Sequence, residues 1–300
     1  MSGGAPPVVV VGDVMVDVVA AAAAPLAHAS DTDARVRWTG GGAAANVAAW
    51  LAARDVPVAL VARAGADVAG RGAVAELREA GVDVRVAVDE ARGTGTCVVV
   101  IGADGERTML PDRGANLALA PEDVPADLFV PGAHLHLSGY VLLHAGPRPA
   151  GLAALDHAHE AGMTISVDPA SAAPLRACGA ERVLGWIAGC DVLLPNLDEA
   201  RVLSGEHDAE AAARTLLARA DAREVVVTLG AEGALWTDGV SLIRVAAPRG
   251  VPVVDTTGAG DAFAAGWLAA RRDGAEVAEA LEAACGLGAR AVAGVGARPA

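Results

Sequence analysis

Beyond residue 130 the chain alternates short apolar runs with stretches of helical period, and this alternation narrows its fold more than any other feature. Strand-like runs fall at 134–137, 164–167, 192–194, 225–229 and 251–254. Uninterrupted apolar strands need cover on both faces, and the helices between them supply both that cover and the crossover that parallel strands require. An earlier run at 8–11 is four valines ending in Gly12-Asp13, which reads as a buried first strand with a polar exit. The chain is therefore expected to be α/β, with a mostly parallel central sheet between helical layers. In such open sheets ligands bind beyond the carboxyl ends of the strands. The polar residues at those exits, Ser138, Asp168, Asn196, Thr228 and Asp255, would then share one edge.

The first 130 residues are less regular. Residues 14–18 continue extended and offer Asp17 to one face, whereas 20–39 follow no clear period and are expected to form loop or short edge strands. Gly40-Gly41-Gly42 then feeds an alanine-rich helix carrying Asn46. A strand at 58–61, a turn at 64–70 and a helix with Val74 and Leu77 on its apolar face follow. Strands are expected at 82–88 and 96–101, with Ala103-Asp104-Gly105 as the hairpin turn to 107–110. An amphipathic helix spans 276–293.

Composition removes whole classes of function. The formal charge of −14 argues against a nucleic-acid or anionic-membrane surface, both of which call for clustered basic residues. The chain contains no lysine, so neither a Walker-type phosphate lysine nor a Schiff base is available. Phosphate charge must be met by arginine, helix N-termini or metal. Cys97, Cys178, Cys190 and Cys285 sit far apart, without disulfide-framework or zinc spacing, and a reducing cytoplasm is the simplest setting. No apolar run reaches the roughly 18 residues of a membrane span, and no basic region precedes Val8.

Chemistry concentrates at 251–272, where an apolar run, a loop at 255–260 and a helix with Phe263, Trp267 and Ala270 on its inward stripe follow one another. Gly258 and Gly260 let the loop turn so that consecutive N–H groups converge at the helix N-terminus, a space that prefers an anion. Asp261 beside it is either a helix-charging residue or a carboxylate that takes a proton from a hydroxyl attacking phosphorus. Asp13 and Asp17 are turn acceptors by spacing alone. Asn196 with Glu199 matches a capping box, and Thr228 to Gly233 contains a glycine-rich turn. Arg113, a lone arginine in a loop, is expected to be solvated.

Asp255-Thr256-Thr257-Gly258-Ala259-Gly260-Asp261-Ala262-Phe263 resembles the second signature of the ribokinase-like (PfkB) carbohydrate kinases, and Gly41, Gly42 and Asn46 resemble the first. The resemblance runs in order from Gly12 to Ala297. It implies one ribokinase-like three-layer domain over 1–300, with a small β lid from insertions at about 14–39 and 83–113. It implies Asp261 as general base, with Gly258, Ala259 and Gly260 forming the anion hole. Asp17, Gly41, Gly42 and Asn46, together with Asp261, would bind the sugar. Asn196, Glu199, Thr228, Gly230, Gly258 and Gly260 would hold ATP, with Asn196 and Glu199 reaching Mg²⁺ through water. Asp255 and Thr257, with the region at 294–299, would bind a monovalent cation such as K⁺. A homodimer through the lid is a further expectation. The family's ribokinases carry a lysine where this chain has Ala43 and a glutamate near Ser138-Gly139, so fructose and ketodeoxygluconate types stand beside ribose. A nucleoside acceptor is the alternative, with Tyr140 able to stack on a sugar or a nucleobase, and a non-catalytic sensor is a third reading.

Overall fold

The computed structural model describes residues 6–102 and 107–299. The Ala103-Asp104-Gly105 turn lies outside the described residues. In chain order the strands are β1 (Val8–Val11), β2 (Met15–Ala22), β3 (Ala34–Gly41), β4 (Val58–Gly65), β5 (Asp83–Asp89), β6 (Gly95–Ile101), β7 (Arg107–Asp112), β8 (His134–Ser138), β9 (Thr164–Asp168), β10 (Val192–Leu193), β11 (Glu224–Thr228), β12 (Ala234–Thr237) and β13 (Leu242–Val245). They form a nine-stranded sheet, β13-β12-β11-β10-β9-β8-β1-β4-β5, and a four-stranded sheet, β3-β2-β6-β7. From β11 to β5 every neighbour is parallel, while β12 and β13 add antiparallel at one end.

The valine run of β1 explains the layering. Successive side chains of a strand face opposite ways. Val8 and Val10 enter one core with Trp50, Leu60 and Trp267, and Val9 and Val11 enter the other with Leu135, Leu137 and Ile165. Each fully buried valine contributes about 1.5–3 kcal/mol, so an all-apolar strand is stable only between two helical layers. On the first face the helix Ala259–Arg272 packs against Val277–Val292 so closely that a Cβ on Gly266 would lie 2.8 Å from Ala284 Cα. Phe263 and Trp267 are buried there and Ala270 partly so, matching the expected stripe.

Three expectations differ from the fold. Residues 251–254 form no strand: Val253 and Val254 are exposed, and Val254 N–H donates to Val292 O at 2.7 Å. The position beside β11 that such a strand would take is filled by β12 and β13. Second, residues 20–39 hold an edge strand, β3, and the stretch between it and β2, as expected, but the strands are longer than expected, pairing antiparallel along eight positions. Third, β5 pairs with β4 at the edge of the large sheet, so the small sheet's second part runs only from Gly95 to Asp112. Across the small sheet Trp38, Val18, Val98 and Leu110 are register partners and share one face, opposite the face that carries Asp17.

Candidate active site

Gly258 caps the helix Ala259–Arg272 in the left-handed conformation, with φ 75°. A Cβ there would also meet Ala297 Cα at 2.6 Å, so both backbone angle and space demand glycine. Gly260 differs from expectation: it lies in the first helical turn without positive φ, and a Cβ on it would meet nothing within 4 Å. Its lack of side chain keeps space open rather than permitting a turn. First-turn N–H groups have no partner within the helix, and that of Ala259 turns back to Thr256 O at 3.4 Å.

Two cavities meet at this helix start. A cleft of ≈ 760 Å³ is bordered by Thr228, Gly230, Val251, Gly260 and Phe263. A smaller cavity of ≈ 110 Å³ is lined by Asp168, Asn196, Glu199 and Asp261 and shares Thr228, Gly260 and Phe263 with the cleft. None of the residues lining the smaller cavity is basic. Burial raises the pKa of both Asp168 and Glu199, and the Asp168 charge raises Glu199 further. Asp168 was recognisable as a strand exit but carried no role in the sequence.

Asn196 and Glu199 realise the capping box in full. Glu199 N–H donates to Asn196 Oδ1 at 3.0 Å, and Asn196 N–H donates to Glu199 Oε2 at 2.9 Å. Asn196 also pairs with Thr228 through an isolated parallel bridge, joining the exits of β10 and β11. The local capping role and a place on the cavity wall coexist. No group of three His, Cys, Asp or Glu among the described residues is placed to cage a metal.

Asp261 lines the smaller cavity, half-buried, with Oδ2 accepting from Asn46 Nδ2 at 2.8 Å. Burial pushes its pKa well above the usual aspartate range. The Asn46 hydrogen bond opposes this, and the charges of Asp168, Asp13 and Asp17 add to it. Asn46 lies in the first turn of Ala43–Ala52, whose cap Gly42 has φ 90° and would press a Cβ to 2.7 Å from Asp13 O. Gly41 leaves room for Asp17, whose Oδ1 would otherwise sit 2.4 Å from a Cβ. Asp17 is buried, its pKa raised to about 6 by desolvation against the opposing charge of Arg298. Asp255 is buried too, taking Thr257 N–H at 2.9 Å and Gly296 N–H at 3.1 Å.

Two arginines complete the surroundings. Arg113 is not solvated: it pairs with Asp13 at 3.1 Å and lies 3.8 Å above the Tyr140 ring. Tyr140 therefore stacks on a protein cation. Arg298 donates to Asn46 Oδ1, Gly41 O and Glu76 Oε1. Nothing local announces this, since Arg298 and Asn46 are 252 residues apart.

With this geometry in view, the molecule's likeness to known proteins is informative. The ATP-dependent ribose-1-phosphate kinase of Halopiger xanaduensis is 36% identical over 268 residues, covering 88% of this chain and 84% of the relative. Adenosine kinase from Sinorhizobium meliloti superposes with a TM-score of 0.89 at 26% identity, over 99% of this chain and 96% of that one. Fructokinase from Vibrio cholerae O395, solved with fructose, ADP and a calcium ion, has a TM-score of 0.82 at 29% identity, over 98% and 94% of the chains. A family model described as pfkB family carbohydrate kinase matches residues 6–300. The chain belongs to the pfkB family of carbohydrate kinases, phosphotransferases that act on a hydroxyl acceptor.

Proposed function

We propose that this chain is an ATP-dependent sugar kinase that moves the γ-phosphoryl group to a hydroxyl of a small sugar of the ribose, fructose or ketodeoxygluconate type. The observation that carries the reading is the position of Asp261, on the wall of the acidic cavity, next in sequence to Gly260, which that cavity shares with the large cleft, and hydrogen-bonded to Asn46. Thr228, Gly230, Gly258 and Gly260 border the nucleotide. Asp17, Gly41, Gly42 and Asn46 surround the sugar. Asn46 holds Oδ2 of Asp261, and Oδ1 receives the acceptor's proton as its oxygen attacks phosphorus. Desolvation raises the basicity of this carboxylate. First-turn N–H groups at Gly260 and Asp261, with Ala259, stabilise charge on the transferring group.

Bound with ATP, Mg²⁺ would neutralise phosphate charge, and Asn196, Glu199 and Asp168 are the residues that would hold its water shell. Backbone at Asp255 and Thr257 would carry a monovalent cation, K⁺ in the first instance. Closing of the small sheet excludes water and limits ATP hydrolysis. The exposed Trp38 and Leu110, in one row on its outer face, support pairing of two copies through this sheet. Four free cysteines are consistent with the cytoplasm. A nucleoside acceptor is the second reading, favoured by the close superposition on an adenosine kinase.

The test is coupled ADP release with Mg²⁺-ATP and K⁺ against ribose, ribose 1-phosphate, fructose, ketodeoxygluconate and adenosine, run beside Asp261→Asn. Turnover with one sugar is expected to fall by about 10²–10⁴ in the variant. An active Asp261→Asn enzyme overturns the base assignment, and turnover with adenosine alone selects the nucleoside reading.

A further inference from the structure

Asn46 can serve Asp261 only in one of its two amide orientations. With the NH₂ group toward Asp261 it donates to the carboxylate. Flipped, its carbonyl oxygen would face that carboxylate, two acceptors against each other. The hydrogen bond to Asp261 therefore depends on whatever holds the other end of the amide, and that partner is a cation from the far end of the chain. Arg298 Nε donates to Asn46 Oδ1 at 3.2 Å, a contact that only the donating orientation allows.

The guanidinium is itself firmly placed. Its Nη2 donates to Gly41 O at 2.9 Å, and its Nη1 pairs with Glu76 at 2.9 Å. A Cβ on Gly40 would fall 2.2 Å from Nη1, so the guanidinium lies flat on bare backbone there. The side chain retains only 7% exposure, whereas Glu76 keeps 51%. The backbone just before it is tied twice: Trp50 Nε1 donates to Ala297 O at 2.9 Å and Gly296 N–H donates to Asp255 Oδ2 at 3.1 Å. Three of its five N–H donors, one on each nitrogen, are taken by protein acceptors, which commits the guanidinium to orienting protein groups.

We propose that Arg298 is a positioning residue for phosphoryl transfer: by holding Asn46 Oδ1 and Gly41 O it locks the Asn46 amide so that its NH₂ group meets Asp261. The inference rests on the kinase reading above and adds to it a residue that never touches the reacting atoms. Misplacing a catalytic group by about an ångström costs on the order of a hundredfold in rate, which is the scale expected when the amide is freed. The proposed nucleotide side lies across the helix start from Arg298, so nucleotide affinity is expected to stay near its original value.

The experiment compares kcat and KM for Arg298→Ala, Arg298→Lys, Asn46→Ala and the Arg298→Ala/Asn46→Ala double variant, using the acceptor that turns over and Mg²⁺-ATP. Arg298→Ala is expected to lower kcat on the order of tenfold to a hundredfold, with the ATP KM within about threefold. Lysine is expected to recover part of the loss, and the double variant to be no slower than Asn46→Ala alone, because both changes remove one unit. Unchanged kcat in Arg298→Ala, or losses that multiply in the double variant, overturns the proposal. Should the alanine variant fail to fold, Arg298→Gln is held to the same outcomes. Asp261→Asn separates the two readings. If it stays active, the base assignment fails whatever Arg298 does, and if it collapses while Arg298→Ala does not, only the positioning role fails.

Discussion

On the proposed nucleotide side of Asp261, the walls are short local motifs: the capping box at Asn196 and Glu199, the turn at Thr228 to Gly233, and the helix start at Gly258. On the proposed acceptor side, Asp17 comes from the small sheet, Asn46 from the helix beyond the glycine turn, Arg113 from a 3₁₀ cap and Arg298 from the closing segment. The first side is held mostly by backbone and caps, the second by side chains meeting across more than 200 residues. Shared reaction chemistry needs the first to be invariant in form, whereas the second can change residue by residue. On the kinase reading proposed above, this division lets acceptor choice vary through single side chains while the fold stays the same.

The sharpest way to break this comparison is through the two loop glycines, which look alike in sequence and are used differently. Gly258→Ala imposes a left-handed residue at a cost of about 1–2 kcal/mol and drives its Cβ into Ala297, displacing the segment that carries Arg298. Both sides of the site are expected to suffer, seen as a lower melting temperature together with lost turnover. A Gly258→Ala enzyme with normal stability would mean that the contact with Ala297 is easily relieved. Gly260→Ala should do the opposite to stability, gaining up to about 0.5–1 kcal/mol in a helical position, while its methyl narrows the opening between the two cavities. The expected signature is an unchanged or higher melting temperature with a raised ATP KM.

A smaller effect comes from pH. Asp17, Asp168, Glu199 and Asp261 all have raised carboxyl pKa values in the folded chain, Asp17 to about 6. Carboxyls raised on folding bind protons more tightly in the native state, so their stabilisation is full below the ordinary carboxylate range and is lost as pH rises through the folded value. Asp89, lowered to about 2, and Asp67, also lowered, act in the opposite sense and lose their contribution only in stronger acid. His134 and His136, lowered by burial to about 4 and 3, also oppose the raised carboxyls, losing stability as pH falls through the ordinary histidine range. The carboxyl contribution is therefore read as a difference: Glu199→Gln should gain melting temperature over the unaltered chain at pH 8 and lose that gain at pH 5. A Glu199→Gln difference that stays the same at pH 5 and pH 8 would contradict the buried-carboxylate account.

The β1 valines, the capping box and the left-handed Gly258 could be read from sequence because each depends on neighbours within a turn or a strand. Residues 251–254 could not. Their apolar character is that of a strand, yet β12 and β13 had already completed that edge of the sheet. The segment 20–39 was readable as containing an edge strand but not its length, since β2 and β3 obtain their extent from each other rather than from their own period. Arg113 looked solvated because nothing nearby in sequence names Asp13 or Tyr140.

By itself the sequence determined the layered α/β class, the absence of an amine for catalysis, and the glycine and acidic residues of the loop that ends in Asp261, because periodicity, composition and backbone freedom are local properties. Tertiary structure alone decided that three carboxylates share one cavity without a basic wall residue, that Gly260 serves open space, and that Arg298 reaches Asn46. Charge, burial and hydrogen-bond geometry arise only when distant segments are brought within a few ångströms, and no spacing along the chain encodes that approach.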